Sequence, residues 1–296
     1  MDIFWTVVGI FAVILLWFML YDSNRFVKVQ YAFQDKRIKK KCRLVILSDL
    51  HNKTYGKDNK RLLEAIRAAS PDMIFVAGDI PTARPGEKLD VAIHLMEELA
   101  KWYPIYYGNG NHEQRMKLYP KTYQDMYERY EKILRDAGIH HLVNAHMFLD
   151  EYGINVFGAQ IDRFYYKRFG VRPMGEDYLK GILGQPMESA YTILIAHNPD
   201  YFANYASWGA DLVLSGHVHG GIVRVPFWGK GVLSPNIRLF PKYDGGLFCE
   251  KGSTMLLSRG LGMHSIPFRL FNPGELLLVD LEPEVSEGKE TIANQV

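Results

Sequence analysis

Residues Arg43–Asn52 read RLVILSDLHN: an apolar run of strand length that stops at an acid and, two residues on, an imidazole. Successive apolar residues with no helical period argue a strand buried on both faces. The same pattern recurs downstream. MIFVA at Met73–Ala77 runs into Gly78-Asp79, and Ile105–Tyr107 precedes Gly110-Asn111-His112-Glu113. Thr192–Ala196 ends at His197-Asn198, and Leu212–Ser215 opens onto Gly216-His217-Val218-His219-Gly220-Gly221. Further strands are expected at Ile154–Ala159, Met255–Ser258 and Leu276–Leu281. Helical stretches lie between them. In Asp58–Ala69 the residues Leu62, Leu63, Ile66 and Ala69 share one face; Lys88–Trp102 follows, then a long polar helix over Tyr119–Ala137 that Gly138 stops. Alternating strands and helices indicate an α/β domain over residues 42–282. Groups at the carboxyl ends of strands in such sheets gather at one site.

The residue types in those five loops suit a pair of divalent metals. Carboxylate, amide oxygen and imidazole together favour Mn, Zn, Fe or Co, whereas all-oxygen ligation would point to Mg or Ca. Two close cations need a bridging ligand, and a carboxylate bridges while offsetting charge. Glycines before Asp79, Asn111 and His217 let the backbone come near the metals. Singly, Gly-Asp means little and Asp-x-His is weak; the ordered set, each member after an apolar strand, is specific. Five of the ten histidines fall inside it: His51, His112, His197, His217 and His219.

That ordered set resembles the calcineurin-like metallophosphoesterase superfamily over roughly Lys41 to Leu281. The match includes SDLHN (Ser48–Asn52), AHNPD (Ala196–Asp200), GHVHGG (Gly216–Gly221) and SRGLG (Ser258–Gly262). With the apolar N-terminus it looks most like the membrane-anchored bacterial branch, which includes general phosphodiesterases and UDP-2,3-diacylglucosamine pyrophosphohydrolases. The resemblance implies a four-layer α/β/β/α sandwich, two β-sheets flanked by helices. It implies Asp49, His51 and His219 on one metal, Asn111, His197 and His217 on the other, and Asp79 bridging. His112 matches the family's proton donor or phosphate-orienting residue. The implied reaction is phosphoester hydrolysis by a metal-activated hydroxide, with phosphodiesters as the leading substrate; a UDP-2,3-diacylglucosamine-type pyrophosphohydrolase and a catalytically inactive metal-binding scaffold are the alternatives. Two positions depart from the family pattern: Ile80-Pro81-Thr82 follow Gly-Asp where an acid is common, and Ile222 stands where Gln is common. Neither is an implied ligand, so they bear on substrate choice.

The composition fits that reading and excludes others. Over 296 residues, 48% are hydrophobic and 23% charged, as in an ordinary globular protein. A net charge of +2 argues against a nucleic-acid partner. Two cysteines, Cys42 and Cys249, make neither a disulfide framework nor a Cys-rich zinc site.

Ile3–Tyr21, IFWTVVGIFAVILLWFMLY, carries no charge. At ~1.5 Å per residue it spans about 28 Å, close to the hydrocarbon core of a bilayer. Trp5, Trp17 and Tyr21 sit toward its ends, as interfacial aromatics do. No basic segment precedes it and no small-residue cleavage site follows, so residues 1–22 read as a single-pass membrane anchor rather than a signal peptide. Arg25, Lys28, Lys36, Arg37, Lys39, Lys40 and Lys41 follow it, and the positive-inside tendency places the catalytic domain in the cytoplasm. Residues 23–41 then form a basic juxtamembrane segment, with an edge strand over Phe26 to Arg43 entertained within it, and 283–296 a polar tail. The expected partners are the bilayer and a phosphoester substrate, lipid-linked in one reading. Lys36–Lys41 and the basic, aromatic stretch Asp162–Arg172 are candidates to face anionic headgroups, the latter reading more simply as a solvated loop. Val225–Gly231, VPFWGKG, is a candidate apolar lip beside the site. His94, His140, His141, His146 and His264 lie outside the motifs: His94 reads as surface or half-buried, His140 and His141 adjoin a strand and are poor metal candidates, and His264 is a possible substrate contact.

Overall fold

The computed structural model describes residues 2–167, 170–234, 239–263 and 267–284. The quoted apolar run is β2 (Cys42–Leu47). It lies in a six-stranded sheet with β1 (Phe26–Asp35), β3 (Met73–Ala77), β4 (Ile105–Gly108), β5 (His140–Leu142) and β12 (Gly274–Pro283), in the order β1-β12-β2-β3-β4-β5. A second six-stranded sheet contains β6 (Ala145–Leu149), β7 (Ile154–Ala159), β8 (Tyr191–Ala196), β9 (Leu212–Ser215), β10 (Gly246–Glu250) and β11 (Ser253–Leu257), ordered β10-β11-β9-β8-β7-β6. From β2 to β5 and from β7 through β8 and β9 to β11, neighbours are parallel.

Period-two alternation within the buried strands makes the layers. On β3, Met73, Phe75 and Ala77 face the other sheet and join Ile193 and Ile195 of β8 in a shared core. Ile74 and Val76 face the other way, onto helices α2 (Lys60–Ala69), α3 (Asp90–Ala100) and α6 (Met126–Asp136). Leu194 and Ala196 turn outward to α7 (Tyr178–Leu183) and α8 (Phe202–Trp208). Three apolar cores thus separate four layers, the sandwich expected.

Helix α1 (Asp2–Ser23) stands out from this body. Ile3–Ser23 is long and apolar enough to cross a membrane, and its side chains are largely exposed, among them Trp5 and Leu20. Its last turn is tied to the domain. The Ser23 hydroxyl accepts the Arg269 N–H at 2.9 Å, Lys53 donates to the Asn24 side chain at 2.8 Å, and the Phe18 ring lies 5.2 Å from that of Phe271.

Three expectations need correcting. The folded domain begins at Phe26, not at residue 42, because Phe26–Asp35 is a strand parallel to β12, with Val29, Tyr31 and Phe33 packed on the intersheet core. Residues 23–41 are therefore not simply a juxtamembrane segment. Second, β1 carries Lys36–Lys41 about 33 Å from the helix it follows, at ~3.3 Å per residue. There Lys39, Lys40 and Lys41 pair with Asp150, Glu151 and Glu282, so they do not surround the end of the apolar helix. Third, Tyr119–Ala137 is two helices, α5 (Pro120–Tyr123) and α6, because Gln124 at φ 53° and ψ −129° breaks the ladder. Among the described residues β5, β6, β10, α4 (Asn111–Leu118), α7 and α8 were also not expected from the sequence. The tail beyond residue 284, Arg168 and His264 lie outside the described residues.

Candidate metal centre

Asp49 and His51 follow β2, Asp79 follows β3, Asn111 and His112 open α4 after β4, His197 follows β8, and His217 and His219 follow β9. Parallel pairing puts all these strand ends at one edge of the sandwich, and close approach there requires glycine. A Cβ on Gly110 would collide with the Asp79 carboxylate, and one on Gly216 with Ser48 and the Asp49 carboxylate.

The donor atoms converge. His197 Nε2 lies 3.1 Å from Asp79 Oδ2 and 3.7 Å from Asp49 Oδ1. His219 Nε2 lies 3.3 Å from Asp49 Oδ1 and 3.1 Å from His51 Nε2. His51 Nε2 lies 4.0 Å from Asp49 Oδ1 and 3.9 Å from Asp79 Oδ2. Three groups have the spacing to hold a metal ion: Asp49, His51 and His219; Asp79, His197 and His217; and His51, Asp79 and His112. Asp79 belongs to two of them, as a shared carboxylate should. Asn111 Oδ1 is buried with no hydrogen-bond partner among the described residues. A buried orphan acceptor beside two carboxylates and several imidazoles is the donor set a borderline divalent cation takes. Of the residues expected to hold metal, the three groups contain Asp49, His51, Asp79, His197, His217 and His219, together with His112.

Behind the donors lies a layer of positioning contacts. His197 Nδ1 is 2.6 Å from the Ala77 carbonyl, which fixes that ring and leaves Nε2 facing the site. Ser48 and the His217 N–H both donate to Asp49. His112 Nδ1 accepts the Ala83 N–H at 2.8 Å, so in the neutral ring the proton sits on Nε2, 4.0 Å from Asp79 Oδ2. Burial of Asp79 opposes its ionisation, but His197 and His112 outweigh it and hold the group well below the carboxylate range. Burial pushes Asp49 up to about 6, His197 opposing and the Asp79 charge adding to it. Burial alone would depress His197; the two carboxylates reverse this and raise it to about 10. Such a pocket is built around positive charge.

Three contributors escaped the sequence reading. Glu113, fully buried, accepts from the backbone N–H groups of Asp79, Ile80 and Gly110 at 3.1, 3.1 and 2.9 Å and from the Tyr107 hydroxyl at 2.6 Å. Its place in the Gly-Asn-His-Glu motif was the available signal. Tyr166, in the basic aromatic stretch, sets its ring 5.4 Å from His217 at 80°. Arg269, 3% exposed, donates to the carbonyls of Gly262, Gly260, Arg259, His219 and Asn272 and so braces the loops beneath the site. No motif marked it. Outside the cluster, His140 stacks on Tyr106, His141 bonds the Asn109 side chain at 2.7 Å, and His146 faces Asn155 at 3.2 Å.

Where the strand ends of the two sheets meet, carboxylates and imidazoles gather at the spacing of a divalent-metal site. The chain belongs to the calcineurin-like phosphoesterase family, whose model matches residues 42–221. It is similar to metallophosphoesterase Cj0846 of Campylobacter jejuni, at 27% identity over 83% of this chain and 60% of that protein. A Helicobacter pylori metallophosphoesterase is 28% identical over 84% of this chain and 62% of its own length, so the chain spans about three fifths of these relatives. An Aquifex aeolicus metallophosphoesterase is 24% identical over 92% of this chain and 98% of its own length. A solved Saccharomyces cerevisiae serine/threonine phosphatase covers 93% of this chain, and is covered to 88%, at 12% identity and a TM-score of 0.31.

Proposed function

We propose that this protein is a membrane-tethered phosphodiesterase with a dinuclear metal centre, acting on a phosphodiester carried by a lipid. In this reading Asp49, His51 and His219 hold one cation, Asn111, His197 and His217 the second, and Asp79 lies between; Mn, Zn or Fe suits these donors. Such a cation pair supplies a water of lowered pKa and offsets charge on the phosphoryl oxygens. His112 presents Nε2–H toward the same space and donates to a phosphoryl or leaving oxygen. Helix α1 is the single-pass anchor, and the cationic residues after it orient the catalytic domain to the cytoplasm. That sorting acts on the nascent chain, so the later folding of Lys36–Lys41 away from the anchor does not disturb it.

One observation carries the lipid part of the reading. β1 is parallel to β12, and β12 is antiparallel to β2. The start of β1, immediately after the anchor, therefore lies at the same edge of the sheet as the carboxyl end of β2, where Asp49 stands. The anchor and the metal-facing loops share one end of the molecule.

The test uses full-length protein in vesicles. With Mn²⁺ it should cleave bis-p-nitrophenyl phosphate and a phosphodiester lipid in the same bilayer. Good turnover of the soluble diester with none of the lipid would end the lipid reading. Inertness toward both across Mn, Zn, Fe, Co and Mg would end the diesterase reading.

A further inference from the structure

The hairpin that grows from the last metal-facing loop carries aromatic rings that the fold does not use. After Gly221 the chain runs outward and returns, with Ile222 N–H on the Leu233 carbonyl at 2.7 Å, Val232 N–H on Val223 at 2.8 Å and Val225 N–H on Lys230 at 2.9 Å. Its tip, residues 226–230, is exposed throughout; the Phe227 ring is wholly in solvent and Trp228 is 68% exposed. Phe240, whose N–H donates to the Val232 carbonyl at 2.9 Å, adds a third outward ring. Phe227, Phe240 and the nearby Phe271 have φ of 66°, 46° and 54°, a region that bulky side chains avoid. Phe271 packs on Phe18, but strained backbone that holds Phe227 and Phe240 in water gains nothing from packing within the chain and calls for an apolar partner outside it.

The hairpin's position identifies the partner. Val223 is bridged to Leu270, and Leu270 N–H donates to the Ile222 carbonyl at 3.3 Å. The residues on either side of Leu270 touch the apolar helix: Arg269 at Ser23, and Phe271 at Phe18. Phe18 lies five residues before the helix end, about 8 Å along its axis. The base of the hairpin therefore stands against the last turns of α1, level with the stacked pair Trp17 and Tyr21. At that level a spanning helix meets the headgroup layer, where Trp, Phe and Lys side chains partition.

We propose that the 223–233 hairpin is a membrane-seated lip. Phe227 and Trp228 enter the interface of the bilayer that holds α1, and Lys230 faces its anionic headgroups. This inference rests on the reading of α1 as a membrane span. The lip is continuous with the metal-facing loop: the Arg224 guanidinium donates to the Gly220 carbonyl at 2.7 Å and the Asn272 amide donates to that of Gly221. Seating the hairpin thus holds the mouth of the metal centre against the headgroup layer.

The experiment takes full-length protein carrying Cys249→Ser, since Cys42 is buried and Cys249 exposed. Single cysteines are placed by Trp228→Cys, by Trp17→Cys in the anchor, and by Met187→Cys, just before β8 at the opposite end of the sheet. Each is labelled with the fluorophore NBD in vesicles of phosphatidylcholine and phosphatidylglycerol. Hydrolysis of bis-p-nitrophenyl phosphate confirms that each labelled protein is folded. Labels at 228 and 17 should lose emission to nitroxide-bearing lipid and resist aqueous iodide, and the label at 187 should do the reverse. A label at 228 that iodide quenches and lipid nitroxide does not, with 17 still lipid-quenched, overturns the lip and leaves the anchor standing. Iodide quenching at both positions removes the anchor and the lip together.

Discussion

Glu113 and Asp79 lock each other's loops. The Glu113 carboxylate accepts the Asp79 N–H at 3.1 Å, while Asp79 Oδ1 accepts the N–H of His112, the residue before Glu113, at 2.7 Å. The loop after β3 and the first turn of α4 thus hold one another by backbone groups, and the carboxylate proposed to lie between two cations has no freedom to drift.

Glu113→Ala follows directly from this lock. It strips three backbone donors and the Tyr107 hydroxyl of their acceptor in a fully buried place. At about 1–3 kcal/mol for each buried group left unpaired, with partial relief from repacking, a loss of roughly 3–5 kcal/mol is expected. The midpoint of thermal unfolding should fall by about 6–15 °C, and metal content should fall with it. Unfolding followed by circular dichroism, with elemental analysis of the purified variant, checks both. Full metal occupancy in a variant of unchanged stability would show that the lock is ornamental.

Asp79→Ala and His112→Asn separate metal binding from chemistry. Removing the carboxylate shared by two metal-spaced groups should empty the centre and abolish turnover. Replacing His112 should keep both metals and lower kcat by roughly 10²–10⁴-fold, the usual contribution of a positioned proton donor. If His112→Asn loses its metal, His112 is a ligand and the role assigned here is wrong.

How far the sequence could be read follows from what each element is made of. The strands β2, β3, β8 and β9 announce themselves because burial on both faces makes them uniformly apolar, and each ends at the polar residue that marks the site. Edge strand β1 is half-exposed and alternates, Val29, Tyr31 and Phe33 inward against Lys28, Gln30 and Gln34 outward, so its lysines resemble a tether. Helix α4 is invisible to periodicity because its first turn, Asn111 to Gln114, is buried polar residues held for the site rather than an apolar stripe. Glu113 reaches the N–H groups of Asp79 and Ile80, 34 and 33 residues away, and Arg269 the carbonyl of His219, 50 residues away, and no local pattern encodes those partners.

Arg269 joins the end of helix α1 to the loops beneath the cluster, and Arg269→Lys tests that joint. Burial pushes this guanidinium down, yet it has five carbonyl acceptors and no carboxylate partner among the described residues. A lysine keeps the charge, but its three donors sit on one nitrogen and cannot reach carbonyls spread from His219 to Asn272. Stability should fall by about 2–4 kcal/mol, and metal affinity should fall as the Gly262 and His219 loops loosen. Unfolding in denaturant, with metal titration by calorimetry, reads the two effects. Weakened metal binding with stability unchanged would show that Arg269 positions the centre without holding the fold.

The far end of β1 supplies a pH test remote from the metals. Arg37 bonds Asp35 at 2.7 Å and Asp211, which precedes β9 in the other sheet, at 2.8 Å, so one guanidinium ties the two sheets. The hydrogen bond from Arg37 leads the effects that hold the Asp35 carboxyl below its usual range. A carboxyl whose folded pKa is depressed contributes stability above its unfolded pKa, near ~4, and loses it as pH falls through the folded value. Both partners are partly exposed and solvent-screened, so the contribution is about 1 kcal/mol, or roughly 2–4 °C. Arg37→Leu should therefore melt a few degrees below the parent at pH 7, with the gap closing between pH 4 and pH 2. Thermal melts across that range decide it. A gap that stays constant into acid would assign the loss to packing, because Arg37 also lies over the Tyr191 ring at 5.6 Å and that contact does not titrate in this range.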